Sequence, residues 1–244
     1  VAPVGGRVVL GGAAGGSRVS DWALPAFVVV VVAVAGGLRW YERSRPTSRT
    51  LALVATLAAL ATIARVAFAP IPNVKPTTDI VLLAGFALGP APGFAVGAFA
   101  GLTSNFIFGH GPWTPWQMAA WGVCGLLGAG LAAATRGRAG RWAIALTCAA
   151  AGLLFGLIMT LSTWLTFTAG PAEDTLPLIL LSALPFDIAH AVGNLVFALA
   201  FGPAVVVAVR RAARRREGRF VEAGALDGRA PDARPLDVPA TTAG

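Results

Sequence analysis

IVLLAGFALGPAPGFAVGAFAGLTSNFIFGHGPWTPWQMAAWGVCGLLGAGLAAAT, residues 80–135, runs from Ile80 to Thr135 without one Asp, Glu, Lys or Arg. A membrane-spanning helix needs about 20 consecutive apolar residues, so this stretch holds two or more spans. Membrane strands would alternate apolar and polar residues at every second position; these residues do not, so the spans are read as helices. The rest of the chain agrees. Of its 244 residues 56% are hydrophobic and 12% charged, with a mean hydropathy of +0.73; a soluble domain carries roughly twice that share of charge, about 25%.

Working outward from the uncharged stretch, breaks and apolar runs alternate. Gly89-Pro90-Ala91-Pro92-Gly93 reads as a tight turn, separating a short span Ile80–Leu88, with a start as early as Thr77, from a span Phe94–Phe108. Gly109-His110-Gly111-Pro112 is a second break, followed by a span Pro115–Ala134. Upstream, Leu51–Ala69 is a span with Arg65 near its end, and the prolines at 70, 72 and 76 keep the following loop out of regular helix. Trp22–Leu38 is a further, accessory span; it is longer than the roughly 7–15 residues of a signal-peptide core. Downstream come Trp142–Thr168, a loop 169–177 carrying Glu173 and Asp174, a partial helix around Leu178–Ser182, and a last span Leu184–Val209. The expected architecture is all-α and polytopic: a flexible N-terminus, accessory span (22–38) and basic loop over 1–49, a six-helix membrane core over 50–212, and a disordered tail over 213–244.

The net charge of +8 does not point to nucleic acid, because the arginines sit in short clusters beside apolar runs. With the loop 39–49 in the cytoplasm, the spans alternate so that Arg136, Arg138 and Arg141 and the arginines from Arg210 onward fall on the same side, as the positive-inside rule requires. The C-terminus is then cytoplasmic and the acidic loop 169–177 external. Cys124 and Cys148 both lie in apolar runs and imply no disulfide framework. Gly93, Gly97 and Gly101, Gly152 and Gly156, and Ala55 and Ala59 are small residues four apart, a spacing that lets helix backbones approach closely in lipid. No phosphate-binding loop is present, since the one lysine, Lys75, follows Val74.

Polar groups within spans are costly and mark candidate sites. Gly109 to Gln117 is the densest such segment. Thr114 suits an N-cap, Pro115 the first helical position and Gln117 the third position of a capping box; alternatively Asn105, His110 and Gln117 supply polar contacts to a pocket lined by Trp113, Trp116 and Trp121. The tryptophans equally suit an interfacial belt. Asp187, His190 and Asn194 fall on one face of the last span, either as a helix–helix contact or as the wall of a solute site. Arg65, Asn73 and Lys75 form a third cluster, with Arg65 also placed to snorkel to the interface. Asp187 is the one carboxylate that this reading places inside a core span.

Arg65, Ile71-Pro72-Asn73-Val74-Lys75-Pro76-Thr77, the Gly89–Gly93 turn, Ser104-Asn105-Phe106, Gly109-His110-Gly111-Pro112-Trp113-Thr114-Pro115-Trp116-Gln117-Met118, and Phe186-Asp187 with His190-Ala191 and Gly193-Asn194 together resemble the substrate-binding S components of energy-coupling-factor (ECF) transporters, and most of all the subgroup associated with cobalamin. The resemblance covers about residues 50–212. It implies a six-helix protein in the cell membrane that binds a vitamin at its extracellular side, uses no cofactor, and works with a transmembrane coupling subunit and two ABC ATPases. It also implies that Arg65, Asn73, Lys75, Asn105, His110, Trp113, Trp116, Gln117, Trp121, Asp187, His190 and Asn194 serve the ligand, and that Ala55 and Ala59 face the coupling subunit. The chain departs from the pattern in its accessory span and in His110, where relatives often carry Gln. Two other functions fit the same residues: an ion-coupled carrier working alone, and an intramembrane metal enzyme using His110, His190 and Asp187.

Overall fold

The computed structural model describes residues 23–167 and 175–214. The expectations for the N-terminus before residue 23, for loop residues 168–174 and for the tail beyond 214 lie outside the described residues. Those described form seven helices and no strand: α1 (Ala23–Arg43), α2 (Ser48–Ala67), α3 (Thr77–Leu88), α4 (Pro90–Phe108), α5 (Trp113–Ala134), α6 (Arg141–Phe167) and α7 (Thr175–Arg214). All but α3 are long and apolar enough to cross a bilayer. The protein is an all-α, multi-pass membrane protein, and large apolar side chains such as Val32, Ile63, Leu146 and Phe201 point outward, where lipid replaces water.

Three local expectations are corrected. The turn at 89–93 shrinks to Gly89 alone, whose φ of +97° suits a residue without Cβ. Pro90 and Pro92 begin α4, where a missing N–H costs nothing because the first helical donors have no partner in the helix. Helix α5 begins at Trp113 after Pro112, with no side-chain cap, so Thr114 and Gln117 do not form a capping box. The partial helix at 178–182 and the last span are one helix of 40 residues with Pro185 and Pro203 inside it. Pro203 has no N–H for the Leu199 carbonyl, and the Arg141 guanidinium donates to that oxygen instead, at 3.1 Å.

Glycine sets the core. A Cβ on Gly97 would collide with the Trp121 and Gly122 backbone, one on Gly85 with Gly125, and one on Gly125 with Gly93. α3, α4 and α5 therefore meet backbone to backbone, and Val81, Leu82, Val96 and Cys124 fill what remains. Helix α1 lies against this unit through Val34 and Leu38, packed on Phe94, Ala98 and Met118. The two ends of the bundle differ. At one, Arg49 donates to the Ala212 carbonyl and Arg210 to the carbonyls of Gly137 (3.0 Å) and Phe86 (3.4 Å). At the other, residues 68–76 and 109–112 surround the polar side chains of α2, α4 and α5.

Candidate functional site

At the end away from the arginines, a half-open cavity of about 500 Å³ lies between α2, α5, α6, α7 and the 68–76 loop. One wall is apolar. Trp121, 2% exposed, stacks on Phe155 with ring centroids 4.7 Å apart and an interplanar angle of 27°, and Met159 continues the surface. The rest of the lining includes the polar side chains of Arg65, Asn73, Lys75, Gln117, Asp187 and His190, with the His190 ring edge-on to Phe155 at 5.5 Å.

Arg65 is aimed by its neighbours. Its Nη1 donates to Ser104 Oγ (2.5 Å) and Asn105 Oδ1 (2.8 Å), and its guanidinium carbon sits 4.9 Å from the Trp121 ring centroid and 4.7 Å from that of Phe108. No carboxylate neutralises it among the described residues, whose one ion pair joins Arg39 and Glu42. Asn105, 1% exposed, is the junction. Having accepted from Arg65, it donates to Thr114 Oγ1 (3.0 Å) and Gln117 Oε1 (2.8 Å). Because the Gln117 oxygen is occupied, its amide donors remain for the cavity.

A second chain of hydrogen bonds fixes the opposite corner. The Trp121 indole N–H donates to Thr78 Oγ1 (3.2 Å), and Thr78 Oγ1 lies 3.0 Å from His190 Nε2. An indole nitrogen only donates, so Thr78 Oγ1 accepts from Trp121 and keeps both its proton and a second lone pair for the contact with His190 Nε2, whose direction follows the ring's tautomer. Thr78→Val keeps the volume but strands a buried indole N–H and a ring nitrogen, each costing about 1–3 kcal/mol. It is expected to weaken ligand binding about tenfold or more and to lower Tm, whereas Thr78→Ser keeps both; ligand titration and thermal unfolding of the pair check this.

Lys75 stands in the loop, half-buried. Burial first, and the Arg65 charge second, hold its ammonium below the ordinary lysine value of 10.5. The charged form is the one that serves an anionic or acceptor-rich ligand. Affinity is therefore expected to fall with rising pH earlier than for an ordinary lysine, while the ligand-free protein gains stability, because the unfolded chain then binds the extra proton. Titrating Kd between about pH 7 and about pH 10 in the wild type and in Lys75→Met, whose profile should be flat, checks the sign.

The other residues singled out from sequence lie elsewhere. Asn194 is fully buried beneath the cavity, donates to the Cys148 carbonyl at 3.3 Å and packs on Gly152, while Asp187 fills the notch above Gly156. His110 is exposed and faces Thr114 Oγ1 at 3.4 Å, with Phe106 edge-on to its ring. Trp113 donates to the Gly109 carbonyl at 3.4 Å, and Trp116 has a buried indole nitrogen with no hydrogen-bond partner among the described residues. Of these only Asp187 lines the cavity; Asn194, His110, Trp113 and Trp116 do not, and His110 is not among the groups around His190 and Asp187. Ala55 and Ala59 are exposed on α2.

Sequence reasoning missed Thr78, Phe155, Met159, Thr160 and Thr163, which build or brace the cavity. It also missed Asp79. This carboxylate is 3% exposed in the first turn of α3, faces the Cys148 thiol, and among the described residues has no well-formed hydrogen bond to either oxygen. Asp187 is thus not the sole carboxylate within the core helices.

No curated protein and no solved structure matches the chain significantly. Residues 49–209, well over half of the chain, match the family model described as "ECF transporter, substrate-specific component". The match begins one residue into α2, ends in the last turns of α7, and so contains every cavity residue but not α1. The chain belongs to the substrate-specific components of ECF transporters.

Proposed function

We propose that this chain captures a vitamin in the Arg65–Trp121–His190 cavity and delivers it to an ECF coupling subunit and two ABC ATPases, with cobalamin as the first ligand to test. The observation that carries the reading is that one cavity combines several N–H donors with a flat aromatic surface. Arg65, Lys75 and Gln117 offer N–H donors against Asp187, the one carboxylate among the described lining residues. Such a lining suits a ligand with a planar apolar face and a rim of carbonyl or phosphate acceptors. A corrinoid has both. It is larger than about 500 Å³, so one amide-bearing edge would enter while the remainder occupied the open mouth. Asn105 and Asn194 serve as positioning residues beneath the site; His110, Trp113 and Trp116 are assigned to the mouth.

The positive-inside rule supports a cytoplasmic C-terminus and an external cavity, and the exposed Ala55–Ala59 face of α2 suits close approach by the coupling subunit. We assign capture to residues 50–212, with α1 as an addition to that unit. Titration of the purified full chain with cobalamin tests the reading: saturable one-to-one binding supports it, binding of a different vitamin alone replaces the ligand and keeps the family role, and binding that survives loss of Arg65 removes the site assignment. The buried Asp79, without a well-formed hydrogen bond, favours a second reading, ion-coupled transport without ATPases. Gradient-driven uptake into vesicles containing this chain alone, abolished in Asp79→Asn, would establish it; strict dependence on ATP and the ATPases would eliminate it.

A further inference from the structure

At the opposite end of the bundle a second cavity, about 430 Å³, is lined by Arg136, Arg138, Arg210 and Arg214 together with Ala87 and Gly137. Four guanidinium groups from two segments distant in sequence converge there, although like charges repel. Arg210 is spent on structure: it caps the C-terminal carbonyls of α3 and the Gly137 turn and lies over the Phe86 ring at 4.8 Å. Arg136, Arg138 and Arg214 make no side-chain hydrogen bond or ion pair among the described residues, so their donors are available to the cavity. The acidic side chains among those residues give no relief, because Glu42 is paired with Arg39, Asp79 is buried in the core and Asp187 lines the other cavity. The backbone fixes the arrangement, since Arg136 and Gly137 hold left-handed φ of +51° and +73° to turn the chain between α5 and α6.

We propose that this cavity seats the phosphate headgroup of an anionic phospholipid. Its place at the ends of α3, α5 and α7 puts it at the edge of the hydrocarbon layer, where lipid phosphate is the most concentrated anion. Arginine's planar fork suits phosphate oxygens, and basic pockets between spanning helices at that level bind anionic headgroups. The apolar helix ends around Ala87 would meet the acyl chains. The lipid would then bridge the α5–α6 turn and the last turn of α7, which among the described residues Arg210 joins through the Gly137 carbonyl.

The test measures Tm and retained lipid, by native mass spectrometry, for the full chain in detergent micelles carrying phosphatidylglycerol, phosphatidylcholine, or phosphatidylcholine with sodium phosphate. The wild type should gain thermal stability and keep bound lipid only with phosphatidylglycerol. Arg136→Gln with Arg138→Gln should retain about tenfold less, with an unchanged Tm in phosphatidylcholine showing that the fold is intact; Arg214→Gln alone gives an intermediate loss. Equal retention by the double variant overturns the proposal. So does equal stabilisation by inorganic phosphate, which would make the site one for free anions. A lipid effect seen only after removal of residues 217–244 also overturns it, since the acidic side chains of that segment would then be the occupant.

Discussion

Gly97→Val is expected to leave no monodisperse protein to purify. A Cβ at this position would fall on the Trp121 carbonyl and the Gly122 nitrogen, closer than real Cβ atoms approach anything. These are backbone atoms of α5, so no rotamer change makes room. Overpacking a core costs about 1–3 kcal/mol where side chains can shift; here α4 and α5 would have to separate, and the cost reaches or exceeds the top of that range. Separation would also pull apart α3 and α5, which touch through Gly85 and Gly125, and would move Trp121 out of the cavity wall. Gly130→Ala is the control. Nothing lies within 4 Å of its Cβ, and a helical Gly→Ala change gains up to about 1 kcal/mol of propensity, so it should fold as well as the wild type or better. Size-exclusion profiles and Tm of the two variants decide the matter; a well-folded Gly97→Val would mean that the helices are not in backbone contact.

Arg65→Ala is expected to cost at least about a hundredfold in ligand affinity while leaving the fold intact. Arg65 uses Nη1 on Ser104 and Asn105, which leaves its remaining donors for the cavity. A charge-assisted hydrogen bond is worth about 1.5–3 kcal/mol, and two of them reach a hundredfold or more. The vacated Asn105 oxygen would adjoin the cavity, where water can satisfy it, so Tm should change little. Arg65→Lys should recover only part of the affinity, because an ammonium supplies neither the planar fork nor the stacking on Trp121 and Phe108. Wild-type affinity in Arg65→Ala would remove the cavity from consideration as the capture site.

The helices were legible because lipid imposes apolar runs of fixed length, and Gly, Pro and Arg punctuate them. What failed were decisions made by position within a helix. Pro90 looked like a turn but begins α4, where its missing N–H is harmless. The partial helix around Leu178–Ser182 reads as separate from the span that starts at Leu184, but α7 runs through both, with Pro185 inside it. The polar side of the cavity was readable from Arg65, Asn73, Lys75, Gln117, Asp187 and His190, since polar groups near spans stand out against an apolar background. The aromatic side was half hidden, because Phe155 and Met159 resemble any lipid-facing residue of α6. Thr78 and Asp79 sit where the proline-rich loop passes into the short span, and nothing in their spacing marks them as buried; their burial depends on α5, α6 and α7 closing over the first turn of α3.

The brevity of α3 has a consequence for depth. Its 12 residues rise about 18 Å, against a hydrocarbon layer of about 30 Å. Since its last turn is held at the arginine end through Phe86 and Arg210, its first turn stops about 12 Å short of the opposite surface. The chain between α2 and α3 must descend by that amount, forming a funnel with Thr78, Trp121 and His190 at its base. With capture at the proposed site, a ligand bound at that base is expected to lie over a third of the way through the hydrocarbon layer.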